Sequence, residues 1–316
     1  MSNNFRKKKN NQKSIFLTGH NGLVGSSFYK ILKKRNDIKL FVQNRRQLDL
    51  FNYKLLDKYI KKIKPNIIIN CAAKVGGIEA NKRDKLGFYI QNHTIQQNLI
   101  NTSIENGIDK LVFLGSSCIY SSKFLRPIKE TEISFNELEE SNEGYSLSKL
   151  MGHKLLLFAN AQYNLDFLYI MPCNIFGNNS NFDTTHSHVL EALVRKLIIS
   201  KKIKSKEVVI WGDGRNRREF ITSDNLAINT MNLIDKNLSG VFNVGLGYDF
   251  SIKQLVNKIK KLINYNPKVY YDSLKPKGTF RKVLNINKLK KTGKHVECNF
   301  DKELLEFTKF ALNKFK

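Results

Sequence analysis

The sequence predicts an α/β fold built on a doubly wound parallel sheet, with a smaller and mostly C-terminal α/β region added to it. Three observations carry this. Short apolar runs alternate with helical patterns from residue 15 to about residue 171, the first run passes directly into Gly19, Gly22 and Gly25, and the alternation loosens after Pro172. Parallel strands need crossover connections, usually helices, and a sheet covered on both faces has strands that are apolar throughout.

In chain order, residues 1–13 form a basic tail without an apolar run. Ile15, Phe16, Leu17 and Thr18 make the first strand, and a helical pattern follows the glycines to about residue 34. The second strand spans 38–43, an amphipathic helix 55–63 and the third strand 66–70. A helix over 92–106 stops at Gly107, where a residue without a Cβ suits the left-handed turn that ends a helix. The fourth strand is 111–115, a long helix 144–163 and the fifth strand 165–171. Beyond Pro172 the pattern predicts a helix over 187–200, a strand over 207–211, a turn at Asp213 and Gly214, and a helix capped by Asp224 that runs to about 235. The strand over 241–245 is expected to return to the main sheet. Ser251 and Gln254 form a capping box, followed by Ile252, Leu255, Val256, Ile259, Leu262 and Ile263 at helical spacing. The expected division is a tail over 1–13, a first domain over 14–175 and a second region over 176–316, with the functional cleft between the last two.

With 316 residues, 41% of them hydrophobic, the chain can bury one large or two ordinary cores, and 18 Gly and 5 Pro exclude collagen-like and low-complexity classes. The formal charge of +27 suggests a nucleic-acid or membrane-surface partner. Its make-up argues otherwise: 43 Lys stand against 11 Arg, whereas bidentate reading of phosphate or guanine favours Arg. The charge therefore reads as composition spread over solvated faces, and nucleic acid is not an expected partner. Cys71, Cys118, Cys173 and Cys298 form no Cys-x-x-Cys, and the His residues cluster only at His186 and His188, so neither a disulfide scaffold nor a metal site is expected. No signal-like stretch or run of 18 apolar residues occurs, which makes the cytoplasm the expected compartment and a membrane an unexpected partner.

A strand that runs through Gly19, Gly22 and Gly25 into a helix is a phosphate cradle. The turn needs residues without a Cβ, and the helix N-terminus, at Leu23 and Val24, offers N–H groups with no intrahelical acceptor. The acidic residue that would take an adenosine 2′-hydroxyl after the second strand is missing, and Asn44, Arg45 and Arg46 stand there. Arginine beside the ribose accommodates a 2′-phosphate, so the expected cofactor is NADP(H).

Tyr145 and Lys149 lie one helical turn apart on one face. A nearby ammonium lowers a phenol from its usual pKa of about 10 and makes it usable as an acid near neutrality. Tyr29 with Lys33 and Tyr271 with Lys275 have the same spacing, so spacing decides nothing. Position does: Tyr145 opens the helix that follows the fourth strand, whose end carries Ser116, Ser117 and Cys118.

These features resemble the extended short-chain dehydrogenase/reductases, a superfamily with a Rossmann-type cofactor domain and a Ser, Tyr and Lys catalytic set. Within it the chain is similar to the GDP-L-fucose synthase family, from about Ser14 to the last helix. The specific marks are Ala72-Ala73-Lys74-Val75-Gly76-Gly77-Ile78 with Asn81, Gly115-Ser116-Ser117-Cys118-Ile119-Tyr120, Ser187-His188-Val189, Trp211-Gly212-Asp213-Gly214 with Arg218-Glu219-Phe220, and Asn243-Val244-Gly245-Leu246-Gly247.

The resemblance implies NADPH-dependent 3,5-epimerisation and 4-reduction of GDP-4-keto-6-deoxy-D-mannose, with GDP-L-colitose synthesis or an NAD-dependent 4-epimerase as the alternatives. It implies Ser116, Cys118, Tyr145, Lys149 and His188 as catalytic residues, Cys118 and His188 being the acid/base pair. The same likeness adds Ala72, Ala73, Tyr145 and Lys149 to the cofactor site and gives Asn174, His188, Lys196, Trp211, Arg218, Lys275 and Lys282 to the GDP-sugar. It also implies a homodimer formed by helices flanking the sheet. The chain departs from the family pattern at Lys196, where the family has Arg, at Lys277, where it has an acid, at Phe280, where it has Pro, and at Asn21, where some members have Arg.

Overall fold

The computed structural model describes residues 12–135, 138–184, 187–275 and 278–315. The expected basic tail falls almost wholly outside them, as do His186 and Lys277. Lys13 is not part of a tail: its N–H bonds Asp37 O at 3.0 Å and it opens the first strand.

Chain order is β1 (Lys13–Thr18), α1 (Leu23–Leu32), β2 (Ile38–Val42), α2 (Tyr53–Ile63), β3 (Ile67–Asn70), α3 (Ile78–Arg83), α4 (Lys85–Glu105), β4 (Lys110–Leu114), α5 (Glu143–Tyr163) and β5 (Asp166–Pro172). There follow β6 (Asn174–Phe176), α6 (Val189–Lys202), β7 (Glu207–Trp211), β8 (Arg217–Arg218), β9 (Phe220–Thr222), α7 (Ser223–Asp235) and β10 (Gly240–Val244). The chain ends with β11 (Phe250–Ser251), α8 (Ile252–Leu262), β12 (Lys268–Asp272), α9 (Asn287–Lys291) and α10 (Phe300–Lys314).

The expected doubly wound sheet is present. Six strands lie in the order β10-β5-β4-β3-β1-β2, with every pairing parallel. Its strands are apolar because both faces are covered: all four residues of β3 and all five of β4 are buried. Local chemistry sets the helix limits. Asn52 caps α2 by accepting from Leu55 N, Lys64 ends it in the left-handed region, and the Ser251 and Gln254 capping box opens α8 as expected.

Three expected boundaries need correction. The helix placed at 92–106 begins at Lys85, capped by Asp84, because its buried face carries Asn92 and Gln96 among the apolar residues and so hides the helical period. Thr222, not Asp224, caps α7. Its Oγ1 accepts from Asn225 N, while Asp224 faces α1 and bonds Ser27 and Lys30. The helix expected over 187–200 starts at Val189, with His188 as its N-cap.

A second apolar core forms where α6, α8 and α10 meet, its centre a set of rings in contact: Phe176, Phe182, Phe220, Phe300 and Phe307. Small sheets edge this core. β7 pairs with β12 and β6 with β9 in parallel, and β8 pairs with β11 antiparallel.

Candidate active site

After β1 the chain builds β2 on one side, then crosses to place β3 on the other. The strand order reverses between β1 and β3, and at such a switch point the strand ends leave a crevice. The glycine turn closes there. Gly19 has φ +67°, and a Cβ on it would lie 2.6 Å from Ala72 N at the end of β3. A Cβ on Gly25 would lie 2.0 Å from Gly19 O, so turn and helix can approach this closely only without side chains. Gly22 is the N-cap of α1 and contributes no side-chain acceptor, so the first N–H groups of the helix, those of Leu23 and Val24 among them, face the crevice mouth. Ala72 and Ala73 continue from β3 beside the turn, with Ala72 N held by Asn70 Oδ1 at 3.1 Å. Arg45 and Arg46 are exposed just past β2, and the Arg45 guanidinium stands 5.2 Å over the Phe51 ring. This cradle fits a dinucleotide whose ribose carries a 2′-phosphate.

Across the sheet, β4 ends at Leu114, and Gly115 lies so close to Tyr169 that a Cβ would meet the ring at 2.4 Å. Ser116 then caps a single 3₁₀ turn, Ser117–Ile119, its Oγ accepting from Cys118 N at 3.2 Å. Tyr145 enters from the first turn of α5, hydrogen-bonded to Ser116, with the edge of Phe88 against it. Lys149, 4% exposed, donates to Leu114 O at 2.8 Å and sits 5.7 Å from the Tyr145 ring centroid. Burial lowers its pKa to about 8, partly offset by the Cys71 thiol.

The phenol does not behave as its spacing to Lys149 predicts. Burial raises the Tyr145 pKa, Cys118 raises it further, and the Ser116 hydrogen bond only partly offsets them. Desolvation disfavours the phenolate more than the ammonium, itself tied to a carbonyl, can favour it.

Cys118 is half-buried, and its Sγ accepts from Asn142 Nδ2 at 3.4 Å. Arg218 comes within electrostatic reach of Cys118 and of Glu139, and its Nη1 donates to Thr279 O at 2.6 Å. Glu139 accepts from Thr279 Oγ1 at 2.7 Å and lies 4.0 Å from Lys282 Nζ, and these cations hold its carboxyl below the usual range against the pull of burial. Ser116, Cys118, Tyr145, Lys149, Arg218 and Lys282 thus form one neighbourhood. Asn174 borders it, its amide donating to Glu219 O at 2.8 Å.

A second group stands apart. Lys196 Nζ is 5.9 Å and Lys275 Nζ 5.8 Å from the Trp211 ring, which is 47% exposed. Lys196 also donates to Val209 O, and burial lowers its pKa. His188 belongs to a third element: it is exposed at the N-cap of α6, beside Glu191, whose carboxyl burial pushes up, with His188 partly offsetting that.

Of the rival Tyr/Lys pairs, Tyr271 lies on strand β12 and Lys275 beyond its end, so those two share no helix face. Tyr29 and Lys33 close α1, away from Ser116 and Cys118.

Residues 15–245 match the NAD dependent epimerase/dehydratase family. This chain belongs to that family. The GDP-L-fucose synthase of Escherichia coli (strain K12) is 34% identical over 297 residues, 91% of this chain and 92% of that protein. The GDP-L-colitose synthase of Yersinia pseudotuberculosis is also 34% identical, over 95% of this chain and 98% of its own. Among solved structures, a GDP-D-glycero-L-gluco-heptose synthase from Campylobacter jejuni, crystallised in the presence of NADPH, is 27% identical with a TM-score of 0.84, covering 97% of this chain and 99% of that one.

For this epimerase/dehydratase family member, sequence reasoning missed Glu139 and Asn142 and gave no role to Glu219, which it named only within a family mark. Glu219 is fully buried, and its carboxylate accepts from Gly247 N and Leu284 N, both at 2.7 Å. It ties β9 to the segment that carries Lys282. Its partners are 28 and 65 residues away in sequence, so no local pattern could reveal the role. Asn142, just ahead of α5, reads from sequence as an ordinary helix cap.

Proposed function

We propose that this chain converts GDP-4-keto-6-deoxy-D-mannose to GDP-L-fucose, inverting carbons 3 and 5 and reducing carbon 4 with NADPH. The observation that carries the reading is the loop after β4, which puts a thiol, Cys118, one 3₁₀ turn past a serine hydrogen-bonded to Tyr145. A simple reductase or 4-epimerase needs the phenol and the lysine but has no use for the thiol.

The ketone at carbon 4 acidifies the C–H bonds on both sides of it. Inversion removes a proton from one face and returns one to the other, which two groups on separate elements can do and one cannot. Cys118 at the end of β4 and His188 at the N-cap of α6 are that pair. As each C–H bond breaks, charge moves to the carbonyl oxygen, where the Tyr145 and Ser116 hydroxyls donate hydrogen bonds to the enolate. NADPH, when bound, supplies the hydride for carbon 4. Tyr145 then gives its proton to the alkoxide, and Lys149, largely protonated at neutral pH, favours the phenolate left behind. The buried phenol, reluctant to ionise unaided, keeps its proton until an oxyanion forms.

Gly19, Gly22, Leu23, Val24, Gly25, Ala72 and Ala73 cradle the cofactor, and Arg45 and Arg46 take its 2′-phosphate. Arg218 and Lys282 face the substrate diphosphate, while Trp211 between Lys196 and Lys275 offers a flat, cation-flanked surface to the base. Asn174 lines the sugar side. The region 14–175 thus holds the cofactor and the catalytic loop, and 176–316 supplies most of the groups that bind the nucleotide sugar.

A second reading is GDP-L-colitose formation, favoured by the Yersinia relative. Presenting each 4-ketosugar with NADPH decides between them: the 6-deoxy sugar is expected to be consumed with the higher kcat/KM. Cofactor absorbance that stays constant with both sugars would overturn both readings.

Among the described residues, no helix is long and apolar enough to cross a membrane. Four free cysteines suit a reducing compartment, and we place the enzyme in the cytoplasm. Leu86 and Ile90 on α4 are 69% and 48% exposed and Phe158 on α5 is 57% exposed. Neighbouring helices with such residues offer a face for a second copy, hence a homodimer.

A further inference from the structure

Asn142 occupies the N-cap of α5, the position where an Asn side chain ordinarily accepts from a backbone N–H of the first turn. Here its side chain makes no such cap. Its Oδ1 instead accepts from Ser146 Oγ at 2.9 Å, and its Nδ2 donates to Cys118 Sγ at 3.4 Å. Ser146 is fully buried, and with its hydroxyl donating to Oδ1 the Nδ2 end of the amide is turned to the sulfur. An amide oxygen could not donate there, and only this orientation gives the sulfur a donor.

We infer that Asn142, held by Ser146, is a positioning residue that stabilises the thiolate of Cys118 and aims it for proton abstraction at the sugar. The thiolate is the basic and nucleophilic form of cysteine, and an N–H donor aimed at sulfur favours it. Arg218 on β8 and Tyr145 on α5 also lie within electrostatic reach of this sulfur. The amide lets the loop after β4 and the start of α5 prepare the base together. A forgone helix cap is the structural cost.

The inference rests on the epimerase/reductase reading, and its test is chosen to fail separately. Alkylation of Cys118 by iodoacetamide is followed by peptide mass spectrometry in the full-length protein with NADPH at neutral pH, without sugar. Asn142→Asp keeps the shape and the Ser146 contact but puts an acceptor against the sulfur. Aspartate is also at least as good an N-cap as asparagine, so a purely structural Asn142 would tolerate this change. We expect Cys118 alkylation to slow roughly tenfold in Asn142→Asp and to a lesser degree in Ser146→Ala. NADPH affinity should stay as in the parent protein. With the ketosugar, solvent deuterium incorporation should fall by a similar factor in kcat while KM holds. Parent-like alkylation in Asn142→Asp overturns the inference, as does parent-like alkylation in Ser146→Ala should the aspartate variant not fold. A protein that leaves NADPH unoxidised with the ketosugar would sink the proposed reaction and leave the alkylation result standing.

Discussion

Tyr145 and Lys149 divide one task under burial. The phenol is pushed up and the ammonium down to about 8, so each resists ionisation until the partner or the substrate supplies compensating charge. Replacing Tyr145 with Phe removes a donor from the oxyanion and should lower kcat for reduction about 100-fold or more, read from NADPH consumption, with the circular dichroism spectrum preserved. The same logic sets a pH dependence. Activity that needs the Lys149 ammonium should fall as pH rises through about 8 in kcat/KM, the pKa of the free enzyme. Stability should move the other way. Between about 8 and the ordinary 10.5 the unfolded chain holds the Lys149 proton and the folded chain does not, so this group's contribution rises with pH across that window. The denaturation midpoint of Lys149→Met should accordingly rise less with pH across that window than the parent's.

At the scale of elements, what was legible in the sequence was what short-range physics writes there. The strands of the main sheet stand out as apolar runs because helices cover both faces, and the glycine turn stands out because a side chain does not fit at Gly19 or Gly25. The start of α4 was hidden because Asn92 and Gln96 are buried and bond to other backbone carbonyls, so its inner face is not apolar. The cap of α7 was misplaced for a related reason: Thr222 and Asp224 are both cap formers, and only the approach of Ser27 and Lys30 on α1 draws the aspartate away. Ser116 and Cys118 stood out as candidates because they follow the end of β4, but the electrostatics of the neighbourhood did not, since burial reverses the expected shift of Tyr145. The segment after β2 offers a test at this scale. Replacing Arg45 and Arg46 together by Ala should weaken NADPH binding by about 10-fold or more and leave NADH binding nearly unchanged, by fluorescence titration. Equal loss of both would instead tie these arginines to the shape of the loop.

Across the whole molecule, buried and half-buried polar residues tie together the segments around the site. Glu219 reaches Gly247 and Leu284, Glu139 reaches Thr279 and Lys282, and Asp249 takes Arg217 at 2.8 Å and Arg281 at 2.6 Å. The Glu139 bonds tie the segment bearing Lys282 to the stretch ahead of α5, and the Glu219 and Asp249 bonds hold that segment to β8 and its neighbours. The exposed apolar residues of α4 and α5 extend the account to a second copy. Leu86→Glu with Ile90→Glu should shift the particle from dimer to monomer in sedimentation velocity, and an unchanged mass would place the interface elsewhere.

The central claim is that one site carries out two inversions and one reduction. Turnover of GDP-4-keto-6-deoxy-D-mannose with NADPH in deuterated water, read by proton NMR of the product, tests it most directly. Solvent deuterium is expected at carbons 3 and 5 and protium delivered from NADPH at carbon 4 of an L-configured sugar. A reduced product with protium retained at both flanking carbons would contradict it.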